Sequence, residues 1–277
     1  MLKSISVWAL KDNDSRPADS LLGEAREHGF DGLELAVGMK GLLTPESTEE
    51  DCGRLVDAAA AEGVQVSSLA SGLGWQFPMT AEALDVRARG VEIVGKSLRI
   101  ASWLGVNALL VVPGKLAPLE GESVDHIPYD VAWERMTEGV RSLVSVAEET
   151  GVTIGIENVW NQVLLSPLEM RYFVESFKSE AVGAYLDVGN MIAFGYAEDW
   201  VRILGQRICC VHFKDFKREV KTGAGFCDLL EGDVNFPAVM KELRDAGYDG
   251  PCVAEFFQLD AAGLDKLSKA MDRILAM

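Results

Sequence analysis

Four side chains able to hold a metal ion or move a proton stand at one kind of place in this chain. His212 lies in Val211-His-Phe-Lys-Asp215, where the apolar run Ile208-Cys-Cys-Val211 gives way to the charged run Lys214-Asp-Phe-Lys-Arg218. Glu157 ends the run Ile154-Gly-Ile-Glu157, Asp187 ends Ala184-Tyr-Leu-Asp187, and Glu255 ends Val253-Ala-Glu255. A charged group in or at the end of an apolar strand costs several kcal/mol unless it is paired or bound to a metal. One divalent cation would account for all four at once. Three carboxylate oxygens and one imidazole nitrogen suit Mn2+, Mg2+ or Co2+, and Zn2+ is also compatible. Four protein donors leave about two positions of an octahedral ion for water or substrate oxygens. That is the arrangement of a catalytic site rather than a structural one.

The elements that must position these residues follow from a recurring unit: an amphipathic helix, a glycine, then a short apolar strand. It is seen in Glu27-His-Gly-Phe-Asp-Gly-Leu-Glu-Leu35 and in Glu149-Thr-Gly-Val-Thr-Ile-Gly-Ile-Glu157. Gly29, Gly63, Gly105, Gly151 and Gly247 fit the position just past a helix, where glycine takes the left-handed conformation without strain. Strands alternating with helices imply βαβ units and a parallel sheet. Strands are expected near 3–8, 32–36, 64–69, 108–112, 153–157, 182–187, 208–213 and 252–256. Helices are expected near 18–28, 48–62, 80–104, 129–150, 166–178, 197–205, 235–246 and 262–275. Eight such units predict an α/β protein, a single (β/α)8 TIM barrel over residues 1–277. An open doubly wound sheet would carry a glycine-rich loop after its first strand, and here that place reads Trp8-Ala-Leu-Lys-Asp-Asn13. The longer loops, about 70–80, 113–128 and 214–235, all follow strands, which places them over the C-terminal face.

Composition narrows the function. A net charge of −17 argues against nucleic acid, whose binding draws on Lys and Arg. No run of about 18 apolar residues suggests a membrane span. The first residues lack the apolar region of a signal peptide. The cysteines at 52, 209, 210, 227 and 252 are odd in number and form no CxxC pair; they read as reduced thiols of a cytoplasmic protein.

The motifs Ile156-Glu-Asn158, Leu186-Asp-Val-Gly-Asn190, Val211-His-Phe-Lys-Asp215 and Ala254-Glu-Phe256 resemble the sugar isomerase/epimerase family of xylose isomerase-like TIM barrels. The loop Glu231-Gly-Asp-Val-Asn-Phe-Pro237 is similar too, and the resemblance runs through essentially the whole chain. It implies a metal-dependent enzyme acting on a small sugar or sugar phosphate. One divalent ion, Mn2+ first among the candidates, would be held by Glu157, Asp187, His212 and Glu255. In the ketose 3-epimerases of the family the two metal-bound glutamates also move protons. Carried over, Glu157 and Glu255 would epimerise C3 by proton abstraction beside the carbonyl, through an enediolate stabilised by the ion. The same site could serve an aldose–ketose isomerase of the hydroxypyruvate type, or a lyase dehydrating an inosose or keto-sugar. An abasic-site endonuclease shares the fold but leans on a cluster of histidines, and this chain has three in all. Homodimers and homotetramers are common among similar enzymes.

Further site residues follow with less constraint. Asn190 stands where several such epimerases place a histidine that contacts a substrate hydroxyl. Arg218, then Lys214, are the candidate cations for a substrate oxygen or phosphate. Glu34, at the end of the second strand, would contact substrate or support the rim. Trp8 and Trp75 would stack on a sugar face or simply pack. Asp215 and Lys214 would orient His212 or be solvated. Asn158 would cap a turn or bind a hydroxyl, and His28 and His126 read as structural or surface residues.

Overall fold

The apolar runs become the staves of a closed barrel. The computed structural model describes residues 1–117 and 126–277. Its parallel barrel strands are β1 (Leu2–Ser6), β2 (Gly32–Val37), β3 (Gln65–Ser71), β4 (Ala108–Val111), β5 (Thr153–Glu157), β6 (Val182–Asp187), β7 (Ile208–Phe213) and β8 (Pro251–Ala254). They close in the order β1-β8-β7-β6-β5-β4-β3-β2. Around them lie α1 (Ala18–Glu27), α2 (Glu49–Glu62), α3 (Leu84–Trp103), α4 (Tyr129–Thr150), α5 (Pro167–Glu175), α6 (Ala197–Leu204), α7 (Phe236–Asp245) and α8 (Ala261–Leu275). The five glycines expected past helices have φ between 68° and 78°. Local chemistry sets the starts: Thr48 and Asp51 form a reciprocal cap on α2, and Ser166 caps α5 ahead of Pro167.

Several boundaries differ from those expected, each for a local reason. β1 stops at Ser6, whose hydroxyl accepts the Trp8 N–H and turns the chain. α3 starts at Leu84 rather than near 80. The preceding carbonyls are claimed by arginines: Arg87 donates to Ala81 and Glu82, and Arg135 to Thr80. α5 ends at Glu175, and Lys178 beyond it is left-handed at φ 54°. β8 ends at Ala254, one residue short of Glu255, although the Glu255 N–H still donates to Phe213 O at 3.2 Å. The segment after β7, expected to be loop, contains a small antiparallel hairpin pairing Asp215–Phe216 with Phe226–Cys227. Two-residue strands are too short to show a period in sequence. Part of the expected loop 113–128 lies outside the described residues.

Apolar burial is split in two. A large shell fills the space between strands and helices. A smaller cluster inside the barrel contains Ala70, Ala108, Leu110, Val112, Tyr185, Cys210 and Val253, with Trp8 and Trp75 packed against it. Tyr185 is by far the bulkiest of the fully buried members, and Gly155 on the next strand makes room for it. A Cβ at Gly155 would lie 2.9 Å from the Tyr185 ring and 2.8 Å from Cys209 Sγ. No helix among the described residues is long and apolar enough to cross a membrane.

Candidate metal centre

Side chains in a strand alternate between faces. Asp187 therefore shares the inward face of β6 with Tyr185, and His212 that of β7 with Cys210. The register sets Asp187 directly opposite His212, and His212 opposite Val253. Glu157 is the last residue of β5, and Glu255 follows β8. Four strand ends around one arc of the rim thus carry the four expected side chains. All are buried, and one donor atom from each lies within 4.8 Å of the others. Glu157 Oε1, Asp187 Oδ2, His212 Nδ1 and Glu255 Oε2 are buried without a well-directed hydrogen-bond partner. Orphaned polar atoms are rare in folded interiors. Four of them converging, three anionic, fit a divalent cation.

The imidazole is oriented from behind. His212 Nδ1 faces the cluster, 2.8 Å from Glu255 Oε2 and 3.4 Å from Glu157 Oε1. Its Nε2 lies 3.0 and 3.2 Å from the two oxygens of Glu34. A carboxylate there holds the proton on Nε2 and leaves the Nδ1 lone pair for a metal. Glu34 is itself held by the Ser68 hydroxyl at 2.9 Å and by the Tyr185 hydroxyl. Burial, with Cys210 and Glu34 adding to it, keeps the Tyr185 phenol well above its usual range, so it remains a donor. Of the two roles expected for Glu34, this geometry is that of support. Glu34 is 0% exposed and lies on the far side of the imidazole from the cluster.

Burial and crowding of charge perturb the three cluster carboxyls. Burial, reinforced by Glu255 and opposed by His212, pushes the Glu157 carboxyl up to about 7. Burial also raises Asp187, against the pull of Lys214. For Glu255 burial works upward, but Lys214 and His212 outweigh it and hold the carboxyl well below the usual range. Burial works against the His212 imidazolium, and the carboxylates of Glu34 and Glu255 overcome it.

The other expected residues fall into three groups. Asn158 and Asn190 brace the rim. The Asn158 amide exchanges two hydrogen bonds with the Asp187 backbone, Nδ2 to O at 2.8 Å and N to Oδ1 at 2.9 Å. This extends the β5–β6 ladder by a side chain. Asn190 Nδ2 donates to Asn158 O at 2.9 Å, and its backbone N–H donates to Asp187 Oδ1 at 2.8 Å. Asn158→Leu is expected to cost about 2–3 kcal/mol in a urea titration, because two buried backbone groups lose their partners. A loss below about 0.5 kcal/mol would contradict the bracing role.

Lys214 and Arg218 sit at the mouth. Lys214 Nζ is 2.6 Å from Glu255 Oε2 and 3.2 Å from Asp187 Oδ2. The Arg218 guanidinium lies over the Tyr196 ring and donates to Gly195 O at 2.9 Å. Gly195 and Tyr196 line a cleft of about 520 Å³ together with Trp160, Asn158 and Asn190. A larger cavity of about 940 Å³ opens at the opposite end of the barrel, around Thr153, Val182 and Ile208. It holds none of the orphaned atoms, so size does not locate the chemistry.

Trp8, Trp75 and Asp215 are packed or fastened. Trp8 stacks on Phe257, and Lys115 lies over Trp75 while donating to its carbonyl. Asp215 does not touch His212; its carboxylate accepts the N–H groups of Phe216, Gly232 and Val234. His28 pairs with Asp265 on the outside, and His126 is exposed. Tyr185 and Ser68 were missed from sequence. For Tyr185 a signal existed, since it precedes Asp187 by two and must share its face.

These features define a closed (β/α)8 barrel with a buried acid–imidazole cluster at the C-terminal ends of its strands. A family model described as xylose isomerase-like TIM barrel matches residues 22–276. The chain belongs to that family. L-ribulose-5-phosphate 3-epimerases of Salmonella typhi and of Escherichia coli O1:K1 are each 26% identical to it, over 264 and 256 residues, covering 91% of this chain and 87% of theirs. D-psicose 3-epimerase from Clostridium cellulolyticum H10, solved with D-tagatose, superposes with a TM-score of 0.82 at 19% identity over 99% of both chains. An L-ribulose 3-epimerase structure does so at 0.79 and 22%, over 100% of this chain and 95% of the other. At such identity these superpositions speak for the fold.

Proposed function

We propose that this protein is a divalent-metal-dependent ketose 3-epimerase, acting on a free ketose or a ketose phosphate. The observation that carries the reading is the convergence of Glu157 Oε1, Asp187 Oδ2, His212 Nδ1 and Glu255 Oε2, all buried and without well-directed partners. The sequence relatives named as 3-epimerases support the reaction class. The donor set suits Mn2+, with Mg2+, Co2+ or Zn2+ as alternatives. A bound ion supplies positive charge beside the oxyanion that develops when a proton leaves the carbon next to a carbonyl.

The protein's own groups then divide the work. Glu157 and Glu255 come from β5 and β8, with β6 and β7 between them, and both approach the same imidazole nitrogen. A ketose seated over the cluster is flanked by the two carboxylates. One takes the C3 proton and the other protonates the opposite face, which inverts the centre. Both groups are positioned in advance, which is the main source of their effectiveness as bases. The cleft beside Arg218 receives the far end of the substrate, where the guanidinium can meet a hydroxyl or a phosphate.

Proton NMR in D2O tests this, with the Mg2+-loaded protein and a panel of ketoses, their phosphates and inososes. The expected result is loss of the C3 proton signal of one ketose with growth of its epimer at unchanged mass apart from deuterium. Exchange at C1 with an aldose product would mean an aldose–ketose isomerase instead, and loss of water would mean a dehydratase. No exchange with any compound, in protein that holds its metal, would overturn the sugar-enolisation reading for that panel.

A further inference from the structure

The oxygens offered to a metal already face a cation of the protein's own. Lys214 Nζ stands 2.6 Å from Glu255 Oε2 and 3.2 Å from Asp187 Oδ2. Those are the same two oxygens that converge with Glu157 and His212 and lack well-directed hydrogen bonds. The lysine is built into this position. Its side chain is only 14% exposed. Gly189 in the turn after β6 lets its backbone pass close by, since a Cβ there would lie 2.6 Å from Lys214 Cβ and 2.9 Å from its carbonyl carbon. The neighbouring Asp215 is fastened by three backbone N–H groups. The Phe226 ring of the small hairpin lies 5.6 Å from the ammonium.

An ammonium and a divalent ion drawn to the same pair of oxygens compete for them. They repel one another, and buried surroundings screen that repulsion poorly. We propose that Lys214 is the site's own counter-ion: its ammonium holds Glu255 and Asp187 together in the metal-free chain, and an arriving divalent ion must displace it. The proposal rests on the metal-centre reading above and adds a competitor to it. Lys214 therefore sets the metal affinity below what the four donors alone would give. Negative coupling of this kind is reciprocal, so the metal weakens the Lys214 ion pairs by the same factor. The displaced ammonium keeps the face of Phe226 as a neighbour.

The test is a calorimetric titration of MnCl2 into chelator-stripped full-length wild type, K214M and K214R, with thermal melts of each stripped protein. Methionine keeps the length of the side chain without the charge, and arginine keeps the charge. K214M is expected to bind Mn2+ about tenfold more tightly than wild type, within the usual span of coupling between sites. Stripped K214M is expected to melt below stripped wild type, and K214R to stay close to wild type in both readouts. A K214M protein with a native circular dichroism spectrum whose Mn2+ affinity is unchanged or weaker overturns the proposal. If K214M does not fold, Lys214→Gln replaces it, and equal affinities of the Gln and Arg variants overturn the proposal equally. If wild type itself takes up no Mn2+, the metal-centre reading fails and takes this one with it; uptake by wild type without tightening in K214M removes Lys214 alone.

Discussion

Glu255→Gln is expected to lower ketose turnover by about three to four orders of magnitude, and Glu157→Gln by a similar factor, with both proteins folded. Glutamine nearly matches glutamate in shape, so the barrel mouth keeps its packing. It cannot accept a proton and offers a metal only a neutral oxygen. Both glutamates are buried among the cluster atoms, so on the proposed mechanism each variant would lose a base and a charged donor together. Measurement at saturating Mn2+ separates the two, because added metal restores occupancy but not basicity. The two substitutions should also differ in direction. With one face's base removed, deuterium wash-in from the epimer that uses that base should fall further than from the other epimer, and the opposite bias should appear in the second variant. Retention of more than about 10% of wild-type turnover by either variant at saturating metal would rule out its role as a base.

Removal of the metal is the second large effect. Chelator treatment should abolish turnover and lower the melting temperature, and returned Mn2+ should restore both. At a free metal concentration 100-fold above Kd, binding to the native state alone stabilises by about 2.7 kcal/mol. That is a sizeable part of the total stability of a typical domain. His212→Ala protein should show neither the thermal shift nor the recovery. It removes the one nitrogen donor and leaves Glu34, Tyr185 and Ser68 facing a void. Full activity in protein shown by elemental analysis to be free of metal would exclude the mechanism.

Much of this architecture was legible in the chain, for reasons that differ by residue. The strands of the barrel announced themselves as short apolar runs after glycines, and those glycines are left-handed where the pattern required it. The cluster residues stood out because a charge at the end of a buried strand has to be explained. Glu34 showed the same signal, and the sequence left open whether it meets substrate or supports the rim. Its position depends on the crossing of the barrel interior between β2 and β7, and no local pattern encodes that. Tyr185 could have been found by counting two back from Asp187. Lys214 stood out as a cation near the site, but its pairing with Glu255 and Asp187 was not legible, because a side chain beyond a strand end has no periodicity to fix its direction. The hairpin of Asp215–Phe216 with Phe226–Cys227 was hidden by its own brevity.

The contact between Glu34 and His212 joins positions 178 residues apart. The cluster side chains all come from the second half of the chain, and the carboxylate and hydroxyl that steady the imidazole from behind include Glu34 of β2 and Ser68 of β3 in the first half. A chain that has formed only β5 to β8 owns every donor but lacks the support that aims the nitrogen. Pairings so distant in sequence are slow to form, because a long loop must close before they return anything. On the metal-centre proposal, tight uptake would therefore belong to the closed ring and not to either half, which would make a bound ion a clock for the final annealing of the two halves.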